Sequence, residues 1–209
     1  VAIVYIARHG ETTWNAVGRY QGRLETPLSP LGQAQSQALA GVLADKQVRR
    51  IISSPLGRCV QTAVPLSVAT GVPIETDPLL LEIAHGNWEG RYRDEIARTE
   101  PQLYREWREH PPRVRFEGGE SLQDVLNRWK RFVERLQPVD ATLVMTHDVV
   151  VRIAILERTG RGLEELRRIR ALNACFAVFE VTAGSWELRD ECVSHHLAEL
   201  AADPDKQAL

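Results

Sequence analysis

The strongest constraint on the fold is a pattern the chain uses twice: an apolar run that stops at a histidine and is followed by the signature of a helix. Val1-Ala2-Ile3-Val4-Tyr5-Ile6-Ala7 runs into Arg8-His9-Gly10-Glu11-Thr12, and Thr142-Leu143-Val144-Met145-Thr146 runs into His147-Asp148. A run that is apolar on both alternating faces predicts a strand buried on both sides, which in an α/β sheet means a parallel strand; the first is expected to be central. Ligands in open parallel sheets bind beyond the carboxyl ends of the strands. The charged residues therefore begin where a site is expected. Taken singly, an Arg-His pair at a strand end is equally a surface feature, and a lone histidine is more often structural. Two at equivalent strand ends favour a site.

Other element ends add to this edge. Ile51-Ile52 predicts a short strand, and Ser53-Ser54-Pro55 marks its end and the start of a helix with Arg58 in the first turn. As a dipole partner an arginine there stands at the wrong end, whereas beside free N–H groups it adds to an anion site. Leu79-Leu80-Leu81 breaks at the carboxylate of Glu82, ahead of Gly86-Asn87-Trp88-Glu89-Gly90. Its plainer reading is a surface carboxylate. From Thr13 to Pro27 a polar stretch carrying Asn15, Gln21 and Gly22 predicts a long loop leaving the same place. Ser29-Pro30 opens a helix to about Asp45, and Ser121 with Asp124 opens an amphipathic helix to Leu136.

The βα alternation implies a mostly parallel sheet, and two runs turned at Ala183-Gly184 predict a hairpin that gives it one antiparallel edge strand. Between Arg91 and Phe116 arginines and aromatics alternate with prolines, which predicts two short helices in a cap-like insertion over 91–120. Its arginines either select a substrate or are offset by Asp94, Glu95, Glu100, Glu106 and Glu109. His195-His196, expected on a strand with opposite orientations and lacking partners at metal spacing, read as structural or surface residues. Residues 198–209 read as a flexible tail.

A net charge of −2 gives no support for a nucleic-acid or membrane surface. Three scattered cysteines build neither a disulfide framework nor a zinc site, and no apolar stretch approaches a membrane span. With no secretory signal at its start, the chain reads as cytoplasmic. Arg8, Arg58, His9 and His147 around the lone carboxylate of Glu82 suit a phosphoryl group, for which positioning and electrostatics supply most of the catalysis. One histidine can accept the phosphoryl group covalently, and Glu82 can protonate the leaving oxygen and later deprotonate water. No acidic cluster that would favour a Mg²⁺ route is evident.

Arg8-His9-Gly10-Glu11-Thr12, Asn15, Gln21-Gly22, Leu28-Ser29 with Gly32, Ser53-Ser54 with Arg58 and Gln61-Thr62, Glu82 ahead of Gly86-Asn87-Trp88-Glu89-Gly90, Gly118-Gly119-Glu120-Ser121 and Thr146-His147 together resemble the histidine phosphatase superfamily, in its phosphoglycerate-mutase-like branch, from residue 1 to about 182. The resemblance implies a single α/β domain over 1–209, a three-layer α/β/α sandwich, with His9 as the phosphorylated nucleophile. Arg8, Arg58 and His147 would hold the phosphoryl group with Asn15 in reach, Gln21 and Gly22 would line the pocket, and Glu82 would be the proton donor. Asp148 departs from the glycine that many members carry. The activity implied is metal-independent hydrolysis of a small phosphorylated metabolite, with no cofactor and with a homodimer as a family-level expectation. The alternative is a phosphoglycerate mutase dependent on 2,3-bisphosphoglycerate, for which Arg91 and Arg93 would imitate the extra basic residues; a third reading is a silent phosphoester-binding protein.

Overall fold

The computed structural model describes residues 1–200 and 207. Six strands, β1 (Ala2–Arg8), β2 (Arg50–Ser53), β3 (Ile74–Thr76), β4 (Thr142–Thr146), β5 (Phe176–Thr182) and β6 (Ser185–Val193), form one sheet in the order β3-β2-β4-β1-β5-β6. As the apolar run predicts, β1 is central, and it pairs parallel with β4. The antiparallel character enters with β5, which runs against both β1 and the edge strand β6. Ala183 and Gly184, at φ 50° and 83°, turn that hairpin with the two left-handed residues its twist requires.

Alternation along β1 sorts its side chains into two cores. Val4 and Ile6 join Ile52, Val144 and Phe179 on one face, while Tyr5 and Ala7 join Ile51, Leu143 and Met145 on the other. Helices α1 (Pro30–Ala44) and α2 (Gly57–Thr70) cover the second face; after the cap helices α3 (Arg93–Thr99) and α4 (Pro101–Glu109), α5 (Leu122–Arg135) and α6 (Asp148–Arg158) cover the first. The result is the expected three-layer sandwich. Ser29 caps α1 by accepting from Gly32 N, and Ser121 with Asp124 forms the predicted capping box on α5. The insertion is knit to the core beneath it through Ile96, Trp107, Val114 and Phe116, all buried.

One expectation is revised. His195 and His196 lie in a short 3-10 turn, His195–Leu197, instead of on a strand; His196 stacks on Phe176, and its Nε2 lies 2.9 Å from the Ala174 carbonyl. Of the expected tail 198–209, the carbonyl of Leu200 accepts from Gln35 and Gln207 is buried, while 201–206 and 208–209 lie outside the described residues.

Candidate active site

Register brings the strand ends level. Arg8 pairs with Thr146 and Ser53 with Met145, so His9 N donates to Thr146 O at 3.0 Å and Ser54 N to Met145 O at 2.9 Å. Beyond this edge a pocket is lined by Arg8, His9, Asn15, Gln21, Gly22, Arg58, Glu82, His85, Asp148 and Val149. Of the residues expected to hold or transfer the phosphoryl group, all but one therefore share this cavity. The exception, His147, stands fully buried behind it, its ring 5.3 Å from that of His9.

His9 is held as a nucleophile would need to be. Its Nδ1 lies 2.6 Å from the carbonyl of Gly10, which can only accept, so Nδ1 carries the proton and Nε2 keeps its lone pair. Burial, reinforced by the charges of Arg58 and Arg8, pushes the imidazole well below its usual range and leaves it neutral. The strand end that presents it is tightly packed: a Cβ on Gly10 would meet the carbonyl oxygen of Gly32 at 2.6 Å, so only glycine lets this turn pass the start of α1. Thr62 Oγ1 accepts from Gly10 N at 3.0 Å, tying the turn to α2.

The two arginines are aimed by their terminal nitrogens. Arg58 donates from Nη1 to Leu24 O at 2.9 Å and from Nη2 to Gly22 O at 2.6 Å; Arg8 donates from Nη1 to Ala171 O at 2.7 Å and from Nη2 to Gln207 Oε1 at 2.5 Å. Among the described residues, the Nε–H of each is buried without a hydrogen-bond partner. Unsatisfied buried donors are costly, and these two belong to arginines that line the pocket, where an anion would offset their charge. Asn15 and Gln21 accept through their amide oxygens, Asn15 from Thr12 N and Gln21 from the hydroxyls of Thr12 and Thr26, which leaves their NH₂ donors for the pocket. His147 Nε2 lies 2.7 Å from Ser54 Oγ, which fixes its ring, and burial keeps it neutral as well.

Glu82 accepts at Oε1 from Ile83 N at 2.9 Å and is buried. Desolvation first, then the charge of Asp148, raise its carboxyl to about 7, against the lowering effects of Ile83 N, Arg58 and Arg128. It can thus hold a proton near neutrality, which a general acid requires. The segment carrying it is clamped by Glu120, which accepts from Ala84 N at 3.0 Å and from Arg128 Nε at 3.1 Å, while Arg128 Nη1 donates to Leu79 O at 2.7 Å.

Some members of the site were not legible in the sequence. His85, set among Tyr20, Trp107 and Phe116, is pushed down to about 3 by burial and has neither ring nitrogen hydrogen-bonded. It also walls a second cavity of about 240 Å³ toward Trp88, Arg91 and Leu103. Gln207 and Asn173 form a chain from Arg8 to the His9 carbonyl, Gln207 Nε2 donating to Asn173 Oδ1 at 2.6 Å and Asn173 Nδ2 to His9 O at 3.2 Å. No local pattern marks a glutamine in a polar terminus. Arg91, by contrast, is committed to Glu95, Glu100 and Thr99. Among the described residues no group of three or more His, Cys, Asp or Glu is placed to hold a metal ion, and no helix is long and apolar enough to cross a membrane.

The model of the histidine phosphatase superfamily (branch 1) matches residues 4–192. Phosphoserine phosphatase 1 of Hydrogenobacter thermophilus is 32% identical over 204 residues, covering 96% of this chain and 97% of that protein. A probable phosphoglycerate mutase, GpmB, of Yersinia pestis is 30% identical over 186 residues, covering 88% and 86%. Among solved structures, a mycobacterial glucosyl-3-phosphoglycerate phosphatase in complex with VO3 superposes with a TM-score of 0.83 at 30% identity, covering 91% of this chain and 98% of the other.

Proposed function

The chain belongs to the histidine phosphatase superfamily, and from that premise we propose that it hydrolyses small phosphomonoesters through a phosphohistidine on Nε2 of His9. The observation that carries this is the pair of buried, unpartnered Nε–H groups of Arg8 and Arg58 beside a neutral imidazole whose free nitrogen is Nε2.

In the first step the Nε2 lone pair attacks phosphorus, the bond from phosphorus to the ester oxygen breaks, and that oxygen takes the proton of Glu82. Nδ1–H stays on the Gly10 carbonyl and stabilises the developing imidazolium charge. The guanidinium groups and the amides of Asn15 and Gln21 receive the charge spread over the equatorial oxygens, while the His147 ring, edge-on to that of His9, backs the nucleophile from behind the pocket. In the second step Glu82, now a carboxylate, takes a proton from water as the water oxygen attacks phosphorus. The P–N bond breaks, its electron pair returns to Nε2, and inorganic phosphate leaves.

Relatives named as phosphatases for phosphoserine and glucosyl-3-phosphoglycerate support a small anionic phosphometabolite as substrate. The mutase alternative asked Arg91 and Arg93 to bind a second acidic end. The commitment of Arg91 to Glu95 and Glu100, and of Arg93 Nε to Asp94 at 3.1 Å, supports hydrolysis instead. The test is a phosphomonoester panel scored for phosphate release, run beside interconversion of 2- and 3-phosphoglycerate with and without 2,3-bisphosphoglycerate. Phosphate release with an acid-labile phosphoenzyme is expected, and His9→Ala abolishes both. Full activity in that variant, or fast interconversion with little phosphate release, overturns the reading.

A further inference from the structure

We propose that Asp148 is a positioning residue that acts through Arg8: its buried carboxylate, held by Arg152, loosens the site's grip on phosphate so that product leaves. This rests on the function proposed above.

Asp148 opens α6 immediately after His147 and is 2% exposed, yet it lines the same pocket as Arg8, Glu82 and His85. Its Oδ1 lies 3.0 Å from Arg152 Nε, one turn along α6, and 3.4 Å from Arg8 Nη1. Arg152 is anchored in turn, its Nη1 donating to the carbonyls of Leu166 at 3.1 Å and Ile169 at 2.5 Å. The carboxylate is therefore fixed from behind and faces the anion site from the front.

A plain buried ion pair is the simpler account, and such pairs often contribute little net stability. It does not explain the location. A carboxylate on the wall of a pocket built to receive a phosphate carries the same sign as the ligand and offsets part of the Arg8 charge. Removing it leaves Arg8 still held by Ala171 O and Gln207 Oε1, so the arginine keeps its aim while the pocket becomes more positive. Tighter phosphate binding is the consequence.

The second effect runs through Glu82. The charged groups acting on that carboxyl are Asp148 from α6, Arg58 from α2 and Arg128 from α5, and of these only Asp148 favours the protonated form. Asp148 in its turn faces Arg8 from β1, Arg152 from its own helix, His85 and Glu82 from the segment after Leu81, and Arg167 from the 3-10 turn Leu163–Arg168. Loss of its charge moves Glu82 to ionise at lower pH.

The experiment compares wild type with Asp148→Asn and with the double variant Asp148→Asn/Arg152→Gln, which removes the buried pair together and guards against misfolding from an unpaired Arg152. Inorganic phosphate is titrated calorimetrically at pH 6, and kcat/KM for an ester with a poor leaving group is followed against pH. Asp148→Asn is expected to bind phosphate roughly tenfold more tightly, with the alkaline limb about one pH unit lower, the size of effect one nearby charge exerts; the double variant, which also gives up the more distant Arg152 cation, is expected to move in the same directions by less. Asp148→Glu restores wild-type behaviour in part. Unchanged or weaker phosphate binding with an unmoved limb overturns the proposal and reduces Asp148 to a structural pair. Failure of the wild type to bind phosphate at all overturns the functional reading itself.

Discussion

Glu82 carries two consequences of one burial. In the proposed mechanism its carboxyl, raised to about 7, must be protonated in the first step, so activity on esters with poor leaving groups is expected to fall as pH rises through about 7. His9 is held neutral to well below its ordinary range and sets no competing limb nearby. Glu82→Gln should slow poor leaving groups most and flatten that limb, read from a leaving-group series; equal loss across the series counts against Glu82 as the acid. The same shift bears on stability. The folded carboxyl titrates near 7 and the unfolded one near 4.5, so between these values the folded state binds more protons and stability falls as pH rises. The cost is complete above about 7 and amounts to about 3 kcal/mol. Glu82→Gln is therefore expected to melt higher than wild type at pH 8 and level with it at pH 4.5.

The segment after β3 owes its placement to α5. Glu120, the third residue of Gly118-Gly119-Glu120, joins Ala84 N to Arg128, whose side chain is only 6% exposed. Removing it strands a buried guanidinium, so Glu120→Ala is expected to cost about 3 kcal/mol by denaturant unfolding. It should also slow proton transfer from Glu82 while phosphate still binds, since Arg8 and Arg58 are anchored elsewhere. Phosphate affinity lost in step with activity would instead mean that the clamp supports the whole pocket. The strand ends at His9 and His147 were legible because a buried strand writes itself as an uninterrupted apolar run and its end as the first charge. Arg58 was legible because a cation is out of place at a helix start. His85 was not, since nothing in a short loop says that three aromatic rings close around it. Gln207 was not, because its partners, Arg8 and Asn173, are 199 and 34 positions away. The pairing of Arg91 with Glu95 and Glu100 was one of two open readings, decided by the turn at Glu100 between α3 and α4, which brings that carboxylate back to Arg91.

The site draws on both layers that flank the sheet. Arg58 comes from α2 on one face, Asp148 from α6 and Glu82 from the segment leading to the cap on the other, and Arg8 and His9 from the end of the central strand β1 between them. A ligand that meets Arg58 on one side of the sheet, Glu82 on the other and Arg8 and His9 between them binds the assembled molecule and neither layer alone, so its free energy should appear in global unfolding. Inorganic phosphate at about 100 times its dissociation constant adds about 2.7 kcal/mol to the folded state. For a chain of this size that is roughly 5–10 °C in Tm. The expected result is one cooperative transition moved upward as a whole at pH 6, with no comparable shift from sodium chloride at equal ionic strength and none in an Arg8→Met/Arg58→Met variant. Two transitions of which only one moves would mean that the layers unfold separately and that phosphate contacts only one of them. A shift reproduced by chloride would assign the effect to general screening and remove phosphate binding as a property of this edge of the sheet.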